Sequence, residues 1–426
     1  MAATTAPTVD PGLVASLRGL DRDGRLLFAM RTLRMFGYGF LAVVLVLYLA
    51  AAGLDPLAIG IVLTLTLVGD VMISLWLTTN ADRLGRRRVL IAGAILVLLA
   101  GAVFAYTSWL PLLILAGAIG VISPTGNEVG PFLAVEQAAL SQIVPDVRRT
   151  ATFAWYNLAG YVATATGALA AGIISQMLLD GGVAAIDAYR AVVLGYAVIG
   201  AVMAVGFWWL DRGIEAPPHV AATDGIRRRL GLGKSKGIVA RLSLLFSIDA
   251  FAGGFVPQSL MAYWFHLQWG VDPIALGAIF FAANLLAAVS SLLAAPIAAR
   301  IGLINTMVFT HLPSNVLLIL VPIMPTLPLA VGVLLLRYTL SQMDVPTRQS
   351  YVIAVVEPDE RSAAAGITGI ARTTGAAISP SISTVLVASN GFAAVPFYLA
   401  GGLKIVYDLL LFREFSSVKP PEEQRG

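Results

Sequence analysis

The chain is 426 residues long, 58% hydrophobic and only 12% charged, with a mean hydropathy of +0.84. About a quarter of a soluble globular chain is charged, so an ordinary water-soluble enzyme is excluded at the outset. The absence of cysteine removes disulfides, a cysteine nucleophile and thiolate metal sites, and three histidines leave little for a zinc or haem centre. A net charge of +4, scattered along the chain, points to no nucleic-acid partner.

A membrane-crossing helix needs about 20 apolar residues, and runs of that length recur along the chain. The first six are Leu27–Ala51, Leu57–Asn80, Val89–Tyr106, Leu110–Ile143, Thr150–Leu179 and Tyr189–Leu210. After a polar stretch come Leu242–Trp269, Ile274–Ala298, Leu303–Ile323, Leu327–Val356, Arg361–Ala388 and Phe392–Phe412. The runs are continuous rather than alternating, which predicts an all-α membrane protein of twelve transmembrane helices and not a β-barrel. The expected division is a tail over 1–26, a six-helix bundle over 27–211, a basic linker over 212–241, a second six-helix bundle over 242–415 and a tail over 416–426.

Lys and Arg mark the cytoplasmic side of a membrane protein. With the amino terminus inside, 21 of the 28 fall in inner segments, one (Arg190) falls outside and six lie within spans, so both termini are expected in the cytoplasm. Ala50-Ala51-Ala52-Gly53 after the first apolar run permits a cleaved signal peptide. An internal repeat argues against it, because the same helix is used again in the second half.

Gly53-Leu54-Asp55-Pro56-Leu57-Ala58-Ile59-Gly60 recurs as Gly270-Val271-Asp272-Pro273-Ile274-Ala275-Leu276-Gly277, and Arg83-Leu84-Gly85 falls on Arg300-Ile301-Gly302, both at a shift of 217. Pro145-Asp146-Val147-Arg148 falls on Pro358-Asp359-Glu360-Arg361 at a shift of 213, and Arg34 falls on Asp249 at 215. Collinear anchors carrying Asp-Pro and Pro-Asp-x-Arg establish a duplication of six spans into twelve. The linker between the halves, with Arg227-Arg228-Arg229, Lys234 and Lys236, reads as a topology determinant on the cytoplasmic side.

After the second span comes Asn80-Ala81-Asp82-Arg83-Leu84-Gly85-Arg86-Arg87-Arg88-Val89-Leu90. This segment resembles the signature G-x-L-A-D-R-x-G-R-[KR]-x-x-L of the major facilitator superfamily, in its bacterial form, with Asp82, Arg83, Gly85, Arg86, Arg87 and Leu90 matching and Thr78 and Asn80 departing. The resemblance covers the whole chain. It implies two pseudo-symmetric six-helix bundles around a central cavity, and a secondary transporter in which Asp82, Arg83, Gly85, Arg86 and Arg87 latch a cytoplasmic gate. Two weaker marks are the Arg337…Leu340-Ser341-Gln342 stretch, like the arginine pattern that antiporters carry in the fourth span, and Gly167-Ala168-Leu169-Ala170-Ala171-Gly172 in the fifth span. The second is near an antiporter pattern but lacks its proline.

A charge inside a span marks a pathway, a partner or a gate. Six cations (Arg31, Arg34, Arg337, Arg348, Arg372 and Lys404) face six acids (Asp70, Glu128, Glu136, Asp249, Asp344 and Asp408). Most lie on spans 1, 4, 7 and 10, which line the central cavity in the superfamily; Asp70 and Arg372 add spans 2 and 11. The repeat suggests that Arg34 pairs with Asp249 across the halves. Arg337, Asp344 and Arg348 form one stripe on span 10, in which Asp344 and Arg348 satisfy each other four residues apart. Lys404 and Asp408, with the same spacing, read as a local ion pair without a transport role. His311 beside Pro313 reads as a hydrogen-bonded kink.

The fourth span is longer than a bilayer crossing needs, and its Ser123-Pro124-Thr125-Gly126-Asn127-Glu128-Val129-Gly130-Pro131 stretch should break the helix. Asn127 and Glu128 sit at the break, where freed backbone groups require protein or a wet cavity. Glu128, without a cation within one helical turn, is the expected proton carrier; Asp70 is second.

No nucleotide-binding loop of the Gly-x-x-x-x-Gly-Lys-Ser/Thr type occurs. The expectation is therefore a secondary transporter, not an enzyme, moving a small polar or ionisable solute by alternating access. It needs no cofactor or metal and acts as a monomer in the cell (inner) membrane. Proton-coupled efflux is the first reading, uptake or facilitated diffusion of an anionic metabolite the second, and a non-transporting sensor a reading of another class.

Overall fold

The computed structural model describes residues 20–215, 233–357, 360–418 and 420. The Arg227-Arg228-Arg229 run, residues 1–19 and most of the linker and of the 416–426 tail lie outside these. Within them the regular elements are helical. The first half consists of α1 (Arg22–Ala51), α2 (Pro56–Leu84), α3 (Arg86–Tyr106), α4 (Leu110–Ile119), α5 (Phe132–Ile143), α6 (Asp146–Asp180) and α7 (Ala185–Trp208). The second consists of α8 (Lys236–Gly253), α9 (Gln258–Trp269), α10 (Pro273–Ile301), α11 (Leu303–Leu320), α12 (Leu327–Tyr338), α13 (Asp344–Ala354), α14 (Arg361–Ala388) and α15 (Val395–Phe415).

Twelve crossings come from these helices because three crossings are broken in two: α4 with α5, α8 with α9, and α12 with α13. Nine stretches among the described residues are long and apolar enough to cross a bilayer. The broken fourth and tenth crossings fall short of that length, and α14, rich in Gly, Ser and Thr, falls short in hydropathy.

The repeat has a physical counterpart in each half. Asp55 accepts from the Ala58 amide at 2.9 Å to cap α2, and Asp272 accepts from the Ala275 amide at 2.8 Å to cap α10, each followed by proline in the first turn. Gly85 and Gly302 end those helices at φ +95° and +88°, a left-handed region open to glycine. The duplicated residues are thus the ones that start and stop helices.

Each break has a local cause. Residues 120–131 leave the helix at Pro124 and Pro131, with Gly126 and Gly130 at positive φ. The tenth crossing unwinds over 339–343, just ahead of Pro346, whose ring excludes the preceding carbonyl of a continuous helix. The seventh crossing, expected as one helix, is interrupted at Gly254–Pro257. Pro257 supplies no amide there, while its repeat partner α1 has no proline and runs straight through.

Glycine lets helices touch. A Cβ on Gly39 would lie 2.0 Å from the Thr164 carbonyl, and one on Gly167 would lie 2.0 Å from the Phe36 carbonyl, so α1 and α6 meet backbone to backbone. The same α6 presents Gly172 to Pro273 and Gly277 of α10, where a Cβ would come within 2.4 Å of the Pro273 carbonyl. The Gly167–Gly172 pattern therefore serves packing on two faces.

One end of the bundle carries the arginine-rich 83–88 and 233–241 segments. The closest backbone approaches between the halves lie toward the other end. Gly60 of α2 sits against Ser381 and Thr384 of α14, Thr64 Oγ1 accepts from the Ser381 amide at 3.2 Å, and Gly172 meets α10. Toward the arginine-rich end, α5 packs on α1, α2 and α3, and α13 packs on α10, α11 and α14, each within its own half.

Candidate functional site

Two clusters of intramembrane charge occupy the two halves, and they differ in kind. In the first half, Arg34 of α1 is 0% exposed and makes a fork to Glu136 of α5 (Nη1–Oε1 2.6 Å, Nη2–Oε2 2.7 Å) while its Nε reaches Glu128 at 2.9 Å. Arg31, one turn earlier, pairs with Glu128 at 2.7 Å and donates to the Tyr156 carbonyl at 3.0 Å. The Tyr156 hydroxyl donates to Glu136, and the Arg31 and Arg34 guanidiniums stack over the rings of Tyr156 and Phe132. Two arginines and two glutamates make a closed, neutral quartet.

The expected Arg34–Asp249 pair is therefore corrected: Arg34 is satisfied within its own half. Glu128 is corrected likewise. Its carboxylate sits between two guanidiniums brought in from α1, so the lack of a cation along its own sequence does not describe its surroundings.

The broken fourth crossing is held by polar side chains from its neighbours. The Gly130 amide donates to Asp70 at 2.7 Å, Tyr38 donates to the Val129 carbonyl at 3.0 Å, and Tyr196 donates to the Val121 carbonyl. Ser123 donates to the Asn127 carbonyl at 2.7 Å, and the Ser259 amide, in the first turn of α9, donates to the Pro124 carbonyl at 3.1 Å. Asp70 thus anchors freed backbone, as the absence of water in the bilayer core demands. The Ser259 bond joins two breaks from opposite halves.

In the second half the charges surround a cavity of about 230 Å³. Asp249 of α8, 4% exposed, accepts from Lys404 at 2.5 Å and lies 3.3 Å from both Arg348 and Arg372. Arg348 also holds Asp344 at 2.7 Å, as the i,i+4 spacing predicts. Asp408 does not pair with Lys404, which corrects that expectation; it accepts from Asn315 at 2.9 Å and meets His311 at 2.8 Å. Lys404 turns instead into the cavity toward Asp249. Arg337 also lines the cavity; its Nε has no hydrogen-bond partner, and its guanidinium sits 5.3 Å from the Tyr338 ring centroid.

Of the expected pathway residues, Asn127, Asp249, Arg337, Asp344, Arg348 and Arg372 line this cavity, whereas Arg34, Asp70, Glu128 and Glu136 are not among its walls. Sequence reasoning gave Lys404 and His311 no pathway role and missed Gln258, Asn284, Tyr161 and Tyr338. The amides of Gln258 and Asn284, bonded to each other at 3.2 Å, were visible as isolated polar groups in apolar runs. Thr125, Asn127 and Tyr161 are the first half's contribution to a cavity otherwise walled by the second.

At the arginine-rich end, Arg86 binds Asp82 at 2.9 Å, Gln142 at 2.9 Å and the Ile214 carbonyl at 3.0 Å. Glu215 caps α3 by accepting from the Arg86 and Arg87 amides at 2.6 and 3.2 Å. Arg87 reaches the Trp208 carbonyl. The signature loop thereby ties α2 and α3 to α5 and to the exit of α7.

Known proteins resemble this chain over nearly its whole length. A membrane protein of Saccharomyces cerevisiae is 31% identical over 436 residues, covering 96% of this chain and 97% of the yeast protein. Among solved structures, a variant of the nucleoside transporter NupG superposes with a TM-score of 0.75 at 16% identity (92% of this chain, 99% of that one). A D-xylose–proton symporter gives 0.69 at 15% (92% and 97%), and the human organic anion transporter MFSD10 gives 0.63 at 16% (92% and 99%). The sequence profile of the Major Facilitator Superfamily matches residues 27–343 and again 243–426. This chain belongs to the Major Facilitator Superfamily.

Proposed function

We propose that the protein is a secondary transporter that moves a small ionisable solute through the second-half cavity by alternating access. The observation that carries this reading is the cavity itself. It lies where three interrupted crossings meet, it is walled by charge, and both halves contribute to it. Interrupted helices in membrane transporters place unwound backbone and side chains beside a midplane site.

The positive-inside distribution supports an arginine-rich end and both termini on the cytoplasmic side. With the halves apposed at the opposite end, the conformation is then open to the cytoplasm. On this reading, residues 27–211 and 242–415 rock as two bodies joined by 212–241, and Asp82, Arg83, Gly85, Arg86 and Arg87 form the cytoplasmic latch. Proton-coupled efflux draws no support from the fifth-crossing glycines, which serve packing, nor from Glu128, which is doubly paired. The alternative of an anionic solute gains support, because the cavity walls carry four Lys/Arg side chains against two carboxylates.

Counterflow in proteoliposomes tests the reading. Purified protein, with vesicles preloaded in turn with anionic, neutral and cationic metabolites, should concentrate external label transiently for one charge class. Absence of counterflow for every class, with protein shown to be folded and inserted, overturns it.

A further inference from the structure

The two charge clusters balance differently. The first-half quartet is neutral and closed on itself. In the second half, Lys404 pairs with Asp249 and Arg348 with Asp344, which leaves two guanidiniums in surplus on the cavity wall. One is Arg372, which holds Asp249 only at 3.3 Å and in competition with Lys404 and Arg348. The other is Arg337, which makes no ion pair among the described residues and keeps its Nε unbonded. Uncompensated cations inside a membrane are costly, and guanidinium forks match carboxylate and phosphate oxygens in a planar, two-pronged fashion.

Resting on the transporter reading above, we infer that the substrate is a small organic dianion, a dicarboxylate or a phosphate monoester, bound by Arg337 and Arg372. Asp408, held by Asn315 and His311, is not among the walls, so the wall itself carries two positive charges more than carboxylates, and that surplus sets the charge of the occupant. The cavity, about 230 Å³, suits a small solute. On the same cavity wall, Gln258, Asn284 and Asn127 offer amide groups that suit a hydroxyl or keto oxygen on the solute's backbone.

Purified full-length protein is assayed by thermal shift and by counterflow with succinate, malate, 2-oxoglutarate and sn-glycerol 3-phosphate. Succinamide, glycerol, xylose, choline and chloride serve as controls. At least one dianion should raise the unfolding temperature saturably and drive counterflow, and its uncharged counterpart should do neither. The two chemical families are separate arms: response to dicarboxylates alone or to phosphate esters alone assigns the substrate to that family.

Arg337→Gln should weaken dianion binding at least tenfold. Arg337→Lys, which keeps the charge but loses the fork, should weaken it less and controls for folding; Arg372→Gln should behave as Arg337→Gln does. Counterflow of a neutral or cationic solute with no response to any dianion overturns the inference while leaving the transporter reading intact. Equal response to chloride, or dianion binding unchanged in both Arg→Gln variants, also overturns it. No counterflow of any solute removes the transporter reading and this inference together.

Discussion

Arg34 has no contact with solvent, and its charge is tolerable because two carboxylates and an aromatic face surround it. Removing one partner from a buried pair leaves an uncompensated charge and costs about 3–5 kcal/mol, whereas replacing both partners with apolar side chains is close to neutral. Glu136→Gln should therefore lower the unfolding free energy of the detergent-solubilised protein by an amount of that order, read from denaturant unfolding curves. The Arg34→Met, Glu136→Met double variant should recover most of the loss, since Glu128 keeps Arg31 at 2.7 Å. Exchanging charges between Arg34 and Asp249 should rescue nothing, because each is enclosed by partners in its own half. A double-Met variant as unstable as the single, or recovery in the charge exchange, contradicts this account of the quartet.

The helices were legible where a local rule sufficed, and less so where a neighbour decided. The Asp-Pro starts, the Gly85 and Gly302 stops and the break at 120–131 follow from residues adjacent in sequence. The break at Gly254–Pro257 was overlooked because the apolar run continues through it, although Pro257 carries the reason. Charge pairing was harder still. Lys404 has Asp408 one turn away, yet Asp249 on another helix takes it at 2.5 Å, and sequence spacing ranks only partners on the same helix. The repeat relation between Arg34 and Asp249 is real in sequence. However, symmetry-related positions face their own bundles, and nothing in the repeat brings them together.

The helix ends at the arginine-rich side also make a prediction that depends on pH. Glu360 accepts from the amides of Gly233, Lys234 and Ser235 ahead of α8, and the Ser235 hydroxyl with these amides holds its carboxyl below the ordinary value of 4.5. A carboxylate depressed in the folded state lends stability above its unfolded pKa and loses it as pH falls through the folded one. Stability should thus decline on acidification below about 4.5, and Glu360→Gln should flatten that part of the profile while lowering stability at neutral pH. Unfolding midpoints measured between neutral and acidic pH test this, and an unchanged acid limb in the variant removes Glu360 as its source.

At the scale of the whole molecule, the two halves touch through small residues away from the arginine-rich end, and a substrate bound in the cavity leaves toward that side only when those contacts part. Gly60, Gly172 and Gly277 permit the contact, and the Thr64–Ser381 hydrogen bond lies within it. The chain has no cysteine, so a pair introduced here is the only thiol pair present. Thr64→Cys with Ser381→Cys should cross-link readily under mild oxidation, since Thr64 Oγ1 already stands 3.2 Å from the Ser381 amide. The disulfide would hold the far end shut and leave the arginine-rich end open. Binding of a transported solute from the arginine-rich end should then survive, while counterflow should fall by at least tenfold and return on reduction. Each single-cysteine variant should transport normally under the same oxidation. Full counterflow in the cross-linked protein would mean that the halves do not separate at this end during transport, and the solute would need a route that leaves the α2–α14 and α6–α10 contacts intact.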